Sequence, residues 1–306
     1  MRIIRNIHKA RLKNSVVALG NFDGVHLGHK KILEAAAKFA KKNGIMSVAL
    51  TFDPHPQQVI CPERGLRLLT SLWEREHLIA DAGIDALVII KFSDKVRRLS
   101  DVGFVKQYLV KKLKASMVFV GYDYAFGKGR AGQTLHLRRM GRRFGFKVSV
   151  IRPVVFLGSV VKSQKIRELL SIGAFDKAVR LLGHPYIVCG RVISGAGRGK
   201  TLGFPTANLK VDELKLMPSA GVYAGHCFIG KKRFRCVVNI GARPTFPKDG
   251  PAFEVHLLNF HKGIKGRTIR VMLFKRLRDE MQFSDVEALK RQIKSDVARV
   301  SSLIKK

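Results

Sequence analysis

The chain is poor in acid. Against 58 lysines and arginines stand only 22 aspartates and glutamates, a formal net charge of +36 over 306 residues. Such a balance favours anionic partners. The excess is spread over both halves of the chain, and its local runs are short. Lys111-Lys112-x-Lys114, Arg138-Arg139-x-x-Arg142-Arg143 and Lys231-Lys232-Arg233 are interrupted by apolar residues. That excludes a dedicated nucleic-acid arm. Salt-sensitive, non-specific attraction to RNA is expected, but no specific nucleic-acid partner. Cysteine is scarce: Cys61, Cys189, Cys227 and Cys236 form no C-x-x-C pair, which excludes a zinc ribbon and a disulfide framework. Long hydrophobic runs are missing. Ala86 to Ile90 and Met117 to Val120 are far too short to span a bilayer, so no membrane partner is expected. The start, Met1-Arg2-Ile3-Ile4-Arg5, lacks the apolar core of a signal peptide, and the expectation is a cytoplasmic protein, monomeric or a weak homo-oligomer. Internal repeats and low-complexity segments are also lacking.

The remaining composition is that of a globular protein: 46% hydrophobic, 26% charged, and long enough for two domains. Apolar runs alternate with helical periodicity through the first half. Ser15 to Gly20, Ile45 to Phe52, Ala86 to Phe92, Met117 to Gly121 and Lys147 to Val154 read as strands. Residues 28–42, Glu74 to Gly83, Val102 to Lys112 and Leu135 to Phe144 read as helices. Continuous apolar strands separated by helices predict an α/β, doubly wound parallel sheet. Ile166 to Leu170 and Phe175 to Leu182 read as short helices ending at Gly183-His184-Pro185. Beyond them the texture turns to short β-rich pieces: Tyr186 to Ile193, Gly221 to Ile229, Arg233 to Ile240, Ala252 to Leu258 and Thr268 to Leu273. These predict a small antiparallel β-barrel, closed by a C-terminal helix from Ser284, with Ser284 as N-cap and Glu287 in the capping-box position. The predicted domains are 1–183 and 184–306.

Chemistry concentrates in a few segments. Gly20-Asn21-Phe22-Asp23-Gly24-Val25-His26-Leu27-Gly28-His29 carries a strand into a glycine-rich turn and then a helix. Backbone N–H groups and the helix dipole favour an anion at such a start. His26 and His29, three apart, face one side, which suits nucleotidyl transfer. There the protein's task is positioning and charge stabilisation. Gly28 permits close approach, and Asp23 either caps the turn or orients a histidine or a ligand hydroxyl. Asp53-Pro54-His55-Pro56 and Gly121-Tyr122-Asp123 end parallel strands, the edge where such sheets bind ligands, so Asp123 is expected to reach the same crevice. Gly127 to Gly132 reads as a flexible basic loop. Lys162-Ser163-Gln164-Lys165-Ile166-Arg167 opens a helix with a hydroxyl and cations; Ser163 is either its cap or part of an anion site.

In the second half, Gly195-Ala196-Gly197-Arg198-Gly199-Lys200-Thr201 approaches a phosphate-binding loop. However, Ser194 replaces its first glycine, and Leu202-Gly203-Phe204-Pro205 cannot continue the required helix. The segment reads as a glycine-rich flap with Lys200 offered to a phosphate. Thr206 and Asn208 share one face of an extended segment and supply hard oxygen ligands suited to Mg2+ with nucleotide phosphates. Glu254 and His256 lie on the face of their strand opposite Val255, where Glu254 can accept a proton from a substrate hydroxyl.

Together these motifs resemble the prokaryotic bifunctional riboflavin kinase/FAD synthetase family. GNFDGVHLGH and TFDPHP are similar to its FMN adenylyltransferase half. RGKTLGFPTANL, GVYA, NIGARPTF, EVHLLNF and LRDEMQF are similar to its riboflavin kinase half, in the family's order. The resemblance implies a nucleotidyltransferase-type α/β domain and a six-stranded antiparallel barrel with a C-terminal helix. It implies phosphorylation of riboflavin by ATP to FMN, then adenylylation of FMN to FAD with release of pyrophosphate, both with Mg2+. Carried over residue by residue, His26 and His29 stabilise adenylyl transfer. Asn21, Asp23, Gly28, Asp123, Ser163 and Arg167 contact nucleotide or flavin. Gly199 and Lys200 belong to the nucleotide flap, Thr206 and Asn208 hold Mg2+ with ATP, Glu254 is the general base, and Arg278 belongs to a flavin-side lid. One departure stands out: the family pattern Ser-Ser-Thr-x-Ile-Arg is Lys162-Ser163-Gln164-Lys165-Ile166-Arg167 here. The alternative it raises is a monofunctional riboflavin kinase with an impaired adenylyltransferase domain. A basic nucleic-acid-binding protein, or a nucleotidyltransferase for another substrate, would leave the second-half motifs without a role.

Overall fold

The computed structural model describes residues 1–7, 12–156, 158–195, 199, 202–241 and 252–304. By internal contacts the chain divides into two compact units. The first comprises Met1–Arg67 and Arg75–Ser163, the second Leu68–Glu74 and Gln164–Lys306. Two helices of the second unit, α4 (Ser163–Ser171, whose first residue belongs to the first unit) and α5 (Phe175–Leu182), therefore precede residue 184.

The first unit is a six-stranded, all-parallel sheet. Its strands are β1 (Arg2–Ile4), β2 (Ser15–Leu19), β3 (Met46–Asp53), β4 (Ala86–Lys91), β5 (Ala115–Gly121) and β6 (Lys147–Ile151), in the order β1-β4-β3-β2-β5-β6. The direction of winding reverses between β2 and β5, and ligands of such sheets bind at the carboxyl ends of the strands beside that reversal. The central strands are apolar on both faces, Val16 to Leu19 and Val48 to Leu50 being fully buried, as a sheet covered on both sides requires. Helix α1 (Leu27–Lys42) packs by Ile32, Leu33, Ala36 and Ala40, which recur at helical spacing. The opposite layer gathers Phe104, Val105, Leu109, Leu113 and Leu137 against Leu19, Leu50, Val88 and Val118.

Three differences from the sequence reading have local causes. Arg2–Ile4 forms the edge strand β1 although it is only three residues long, because it pairs with β4 from Ala86 to Val88. The helix expected over Val102 to Lys112 begins at Asp101 and continues from Val105 with the wider π-helical spacing. The loop read as flexible is folded back on itself. Ala125–Phe126 pairs with Gly132–Gln133, and Gly127 packs so closely on Asp101 that a Cβ there would lie 2.6 Å from its backbone nitrogen.

The second unit is a closed six-stranded barrel. Its strands are β7 (Tyr186–Ile193), β8 (Thr206–Val211), β9 (Gly221–Ile229), β10 (Lys232–Gly241), β11 (Ala252–Leu257) and β12 (Thr268–Arg278), in the order β7-β8-β11-β10-β9-β12, with β12 pairing back to β7. Alternation fills the interior with Val188, Leu209, Tyr223, Val238, Phe253, Val255 and Val271, all essentially solvent-free. The C-terminal helix α6 (Val286–Leu303) lies on the outer surface, where Val300 and Ile304 pack on Val222, Ala224 and Val237. Its cap is Asp285, not Ser284. The Asp285 carboxylate accepts from the Ala288 N–H at 2.7 Å, while the Ser284 hydroxyl donates to Asp285. An aspartate one residue nearer the helix is the better-placed acceptor.

Leu68–Glu74 belongs to this barrel unit although it precedes most of the first. Its backbone exchanges hydrogen bonds with Leu214 and Leu216, and the fully buried Lys215 ammonium donates to Glu74 at 2.7 Å and to the Leu69 carbonyl at 2.6 Å. Lys215 also lies 4.2 Å from the Tyr186 ring centroid, and the second Glu74 oxygen accepts from the Cys189 N–H.

Candidate active sites

In the first unit the site is built by the turn between β2 and α1. Three of its four residues from 22 to 25 take left-handed angles, Phe22 (φ 51), Gly24 (φ 84) and Val25 (φ 37). A β-branched residue at positive φ is costly, and such strain is held in place at functional turns. The turn carries His26 to the N-cap of α1, where its Nδ1 accepts the His29 backbone N–H at 3.3 Å. That bond assigns the ring proton to Nε2 in the neutral imidazole. The two imidazoles stack with centroids 3.7 Å apart and planes 15° from parallel, and Phe22 meets His29 edge-on. Gly28 makes the stack possible: a Cβ there would stand 3.1 Å from the His26 ring. No acidic residue occupies the first turn of α1, so the positive end of the dipole is left for an anion.

Around this turn the sequence-predicted residues are brought together in part. Asp23 is buried, and its carbonyl accepts the Ser163 hydroxyl at 2.9 Å, both residues within the first unit. The Asn21 carbonyl accepts from Thr51, whose hydroxyl in turn takes a long contact from the buried Arg75 guanidinium. Arg75 also donates to the Phe52 carbonyl. Asp123 follows β5, but its carboxylate is more than half exposed and pairs with Lys162 at 3.5 Å. Lys162 is held above its ordinary pKa chiefly by the Tyr122 hydroxyl, with Asp123 adding to the effect. Gln164 donates along its helix to Glu168. Arg167 lies on α4 in the second unit. His55 caps the short helix Pro56–Ile60 through its Nδ1.

In the second unit the site is a row of side chains on the outer barrel surface. Strand register sets Asn208 opposite Glu254, Glu254 opposite Asn239, Asn239 opposite Val222, and Val222 opposite Arg278. Because facing residues of paired strands point the same way, one face carries the whole row. Two glycines of the predicted flap, Gly195 and Gly199, lie at its β8 end. Gly195 lies directly against the Asn208 amide, and a Cβ on Gly199 would sit 3.1 Å from the Thr206 hydroxyl. The Gly199 carbonyl accepts the Phe204 N–H, and the Pro205 carbonyl contacts His256 Nδ1 at 2.9 Å. Lys200 lies outside the described residues. Arg278 is gripped by α6: its guanidinium bonds both Asp296 oxygens, at 2.8 to 3.2 Å, and the Asp279 carbonyl. Among the described residues no cluster of three His, Cys, Asp or Glu side chains can hold a metal. The donors present are neutral oxygens at Thr206 and Asn208. They fit a hard cation that keeps water and substrate oxygens in its shell, as Mg2+ does.

Comparison with known proteins bears on both units. The family model of FAD synthetase matches residues 8–165 and that of riboflavin kinase residues 182–304. Bifunctional riboflavin kinase/FMN adenylyltransferases are 36% identical in Buchnera aphidicola and 34% identical in Escherichia coli, covering 97% of this chain and 96–97% of theirs. The chain belongs to the bifunctional riboflavin kinase/FMN adenylyltransferase family. A Streptococcus pneumoniae crystal structure described as a macrolide-efflux protein shares 30% identity and superposes with a TM-score of 0.85 over 97% of both chains. No helix among the described residues of the present chain is long and apolar enough to cross a membrane.

Thr51, Arg75 and Asn239 carry no role in the sequence analysis, although Thr51 and Asn239 open its TFDPHP and NIGARPTF motifs. Asn239 did leave a signal, a single amide inside the apolar stretch Cys236 to Gly241. Arg75 left none, since Glu74-Arg75 reads as a solvated charge pair until the structure buries both.

Proposed function

We propose that the barrel unit phosphorylates riboflavin to FMN and that the sheet unit adenylylates FMN to FAD, each with ATP and Mg2+, in the cytoplasm. The observation that carries the kinase reading is the juxtaposition of Asn208 and Glu254, with Gly195 against the Asn208 amide and Gly199 beside Thr206. Glu254 takes the proton of the ribityl hydroxyl as that oxygen attacks the terminal phosphate of ATP and ADP departs with the bridging oxygen. Thr206 and Asn208 would hold Mg2+, which neutralises phosphate charge when bound, and Gly199 and Lys200 cover the phosphates. Arg278 borders the flavin end of the row.

For adenylyl transfer, His26 and His29 and the N-terminus of α1 stabilise charge on the α-phosphate as the FMN phosphate displaces pyrophosphate. Asn21, Asp23 and Gly28 shape that cradle, and Ser163 and Arg167 take part in phosphate binding. Asp123 contacts nucleotide or flavin once the exposed Lys162 pair opens. Two matching domain families favour the bifunctional reading over a kinase alone. The test is a chromatographic time course with riboflavin, ATP and Mg2+, repeated from FMN. FMN followed by FAD is expected. Accumulation of FMN that is never adenylylated would refute the sheet unit's assignment, and untouched riboflavin would refute the barrel's.

A further inference from the structure

Two basic runs of the sheet unit, separate in the sequence, meet in the fold. In a parallel sheet each crossover helix runs back against its strands, so helix C-termini gather where the strands begin. The stretch Val105–Lys112 ends there before β5, the helix Thr134–Phe144 before β6, and α1 before β3. Lys13 precedes β2, whose Ser15 is level with Ala115 of β5; Lys114 precedes β5, and Lys147 opens β6. Arg142 and Arg143 fill the last turn of their helix, as Lys111 and Lys112 do theirs. The Phe144 ring joins the two helices: the Lys106 ammonium lies 5.7 Å from its centroid and the Arg143 guanidinium 5.4 Å. From Val102 to Arg152 twelve lysines and arginines stand against one acid, Asp123. Lys13, Lys114, Arg142, Arg143 and Lys147 are exposed, and among the described residues no carboxylate pairs with any of them. Asp81 and Asp85 stand before β4, on the far side of β3, and Asp85 is occupied by the Ser47 hydroxyl.

This rim stands away from the site proposed for adenylyl transfer. The His26 turn and Asp123 follow the opposite, carboxyl ends of β2 and β5, strands of five and seven residues. At about 3.3 Å per residue the two ends lie roughly 16–23 Å apart, about twice or more the ~8 Å screening length at physiological salt. Helix dipoles do not account for the rim either, because Lys13, Lys114 and Lys147 lie on links or at a strand start. Crowded like charges repel one another, and a polyanion relieves that cost. A lipid surface would ask for apolar side chains to insert. The described residues flanking the amino ends of β2, β5 and β6 include no exposed large apolar side chain. A stiff duplex meets so small a rim at few phosphates, whereas a flexible strand bends around it. We propose that the amino ends of β2, β5 and β6 form a sequence-independent docking surface for single-stranded RNA, whose phosphates Lys13, Lys114, Arg142, Arg143 and Lys147 neutralise. RNA is the occupant because it is the abundant single-stranded polyanion of the cytoplasm, where the enzyme is proposed to act.

The test uses the full-length protein and a fluorescently labelled single-stranded RNA of mixed sequence and about 20 nucleotides. Binding is read by anisotropy between about 50 and 200 mM KCl. Arg142→Gln, Arg143→Gln and Lys147→Gln are combined in a rim variant. A second variant removes the same charge elsewhere, by Lys231→Gln, Lys232→Gln and Arg233→Gln in the β9–β10 hairpin. Each phosphate contact of a single strand adds about 0.7 to the log–log salt slope, so the rim variant should lose about 2 from it. Its dissociation constant at about 100 mM salt should rise about tenfold or more, while the hairpin variant stays within about twofold of the parent. Unfolding midpoints and FAD formation from FMN should match the parent in both. Equal weakening in the two variants would reduce the effect to net charge and overturn the proposal. No measurable binding by the parent at the lowest salt would overturn it too, as would tighter binding of an RNA duplex of the same length than of the single strand. If the rim variant lost binding to phosphatidylserine vesicles but kept parental RNA affinity, the surface would belong to lipid, and the proposal would fail.

Discussion

At the scale of single residues, the site proposed for adenylyl transfer turns on one missing methyl group. Gly28 gives the His26 ring its place over His29. In Gly28→Ala the ring must give by a few tenths of an ångström. We expect FAD formation from FMN to fall severalfold, toward the roughly 10²-fold that a 1 Å misplacement costs, while the far-UV spectrum is kept. A rate within twofold of the parent would show that the stack is not needed. The grouping of His26, His29 and Gly28 at one turn was legible because their spacing has meaning only after a strand and at a helix start. Their neighbour Arg75 was not legible. Its burial depends on Thr51 and Phe52, which chain distance conceals. Asp123 lies between these cases. The sequence puts it after the right strand, but its pairing with Lys162 emerges only in three dimensions.

At the scale of elements, periodicity located strands and helices well, and capping chemistry decided the ends. The N-terminus of α6 hangs on the exposed Asp285, whose pKa is lowered chiefly by the Ala288 N–H and then by the Ser284 hydroxyl. A folded-state pKa below the unfolded value stabilises the helix above the unfolded pKa, and that support is lost as pH falls through the folded one. Amide exchange in the first turn of α6 should therefore be faster in Asp285→Ala than in the parent at neutral pH. The two should converge as the medium is acidified past the folded-state pKa of the carboxylate. A constant difference at all pH values would assign the cap elsewhere. Barrel closure was harder to read than strand content. Thr206–Val211 carries polar residues outward and reads only as an extended segment until β7 and β11 flank it.

At the scale of the whole molecule, the second unit is not one continuous stretch. Leu68–Glu74, from the first third of the chain, is sewn to the barrel by an ion pair that is wholly buried. Breaking one half of such a pair costs roughly 3–5 kcal/mol, whereas replacing both halves with apolar side chains is often neutral. Glu74→Gln should therefore lower the unfolding midpoint of the barrel and its kinase output together, and Glu74→Leu with Lys215→Met should restore both. Equal stability of the single and double variants would show that the pair carries little weight. Sequence patterns could not reveal this strap, because nothing local distinguishes Glu74 from an ordinary surface glutamate. It also sets a schedule during synthesis. Glu74 and Lys215 lie 141 residues apart. At about 5–20 residues per second the strap waits roughly 7–28 s for its lysine. The ribosome thus delivers the first piece of the barrel unit early, and that piece must stay unpaired and unaggregated while the sheet unit is still being made.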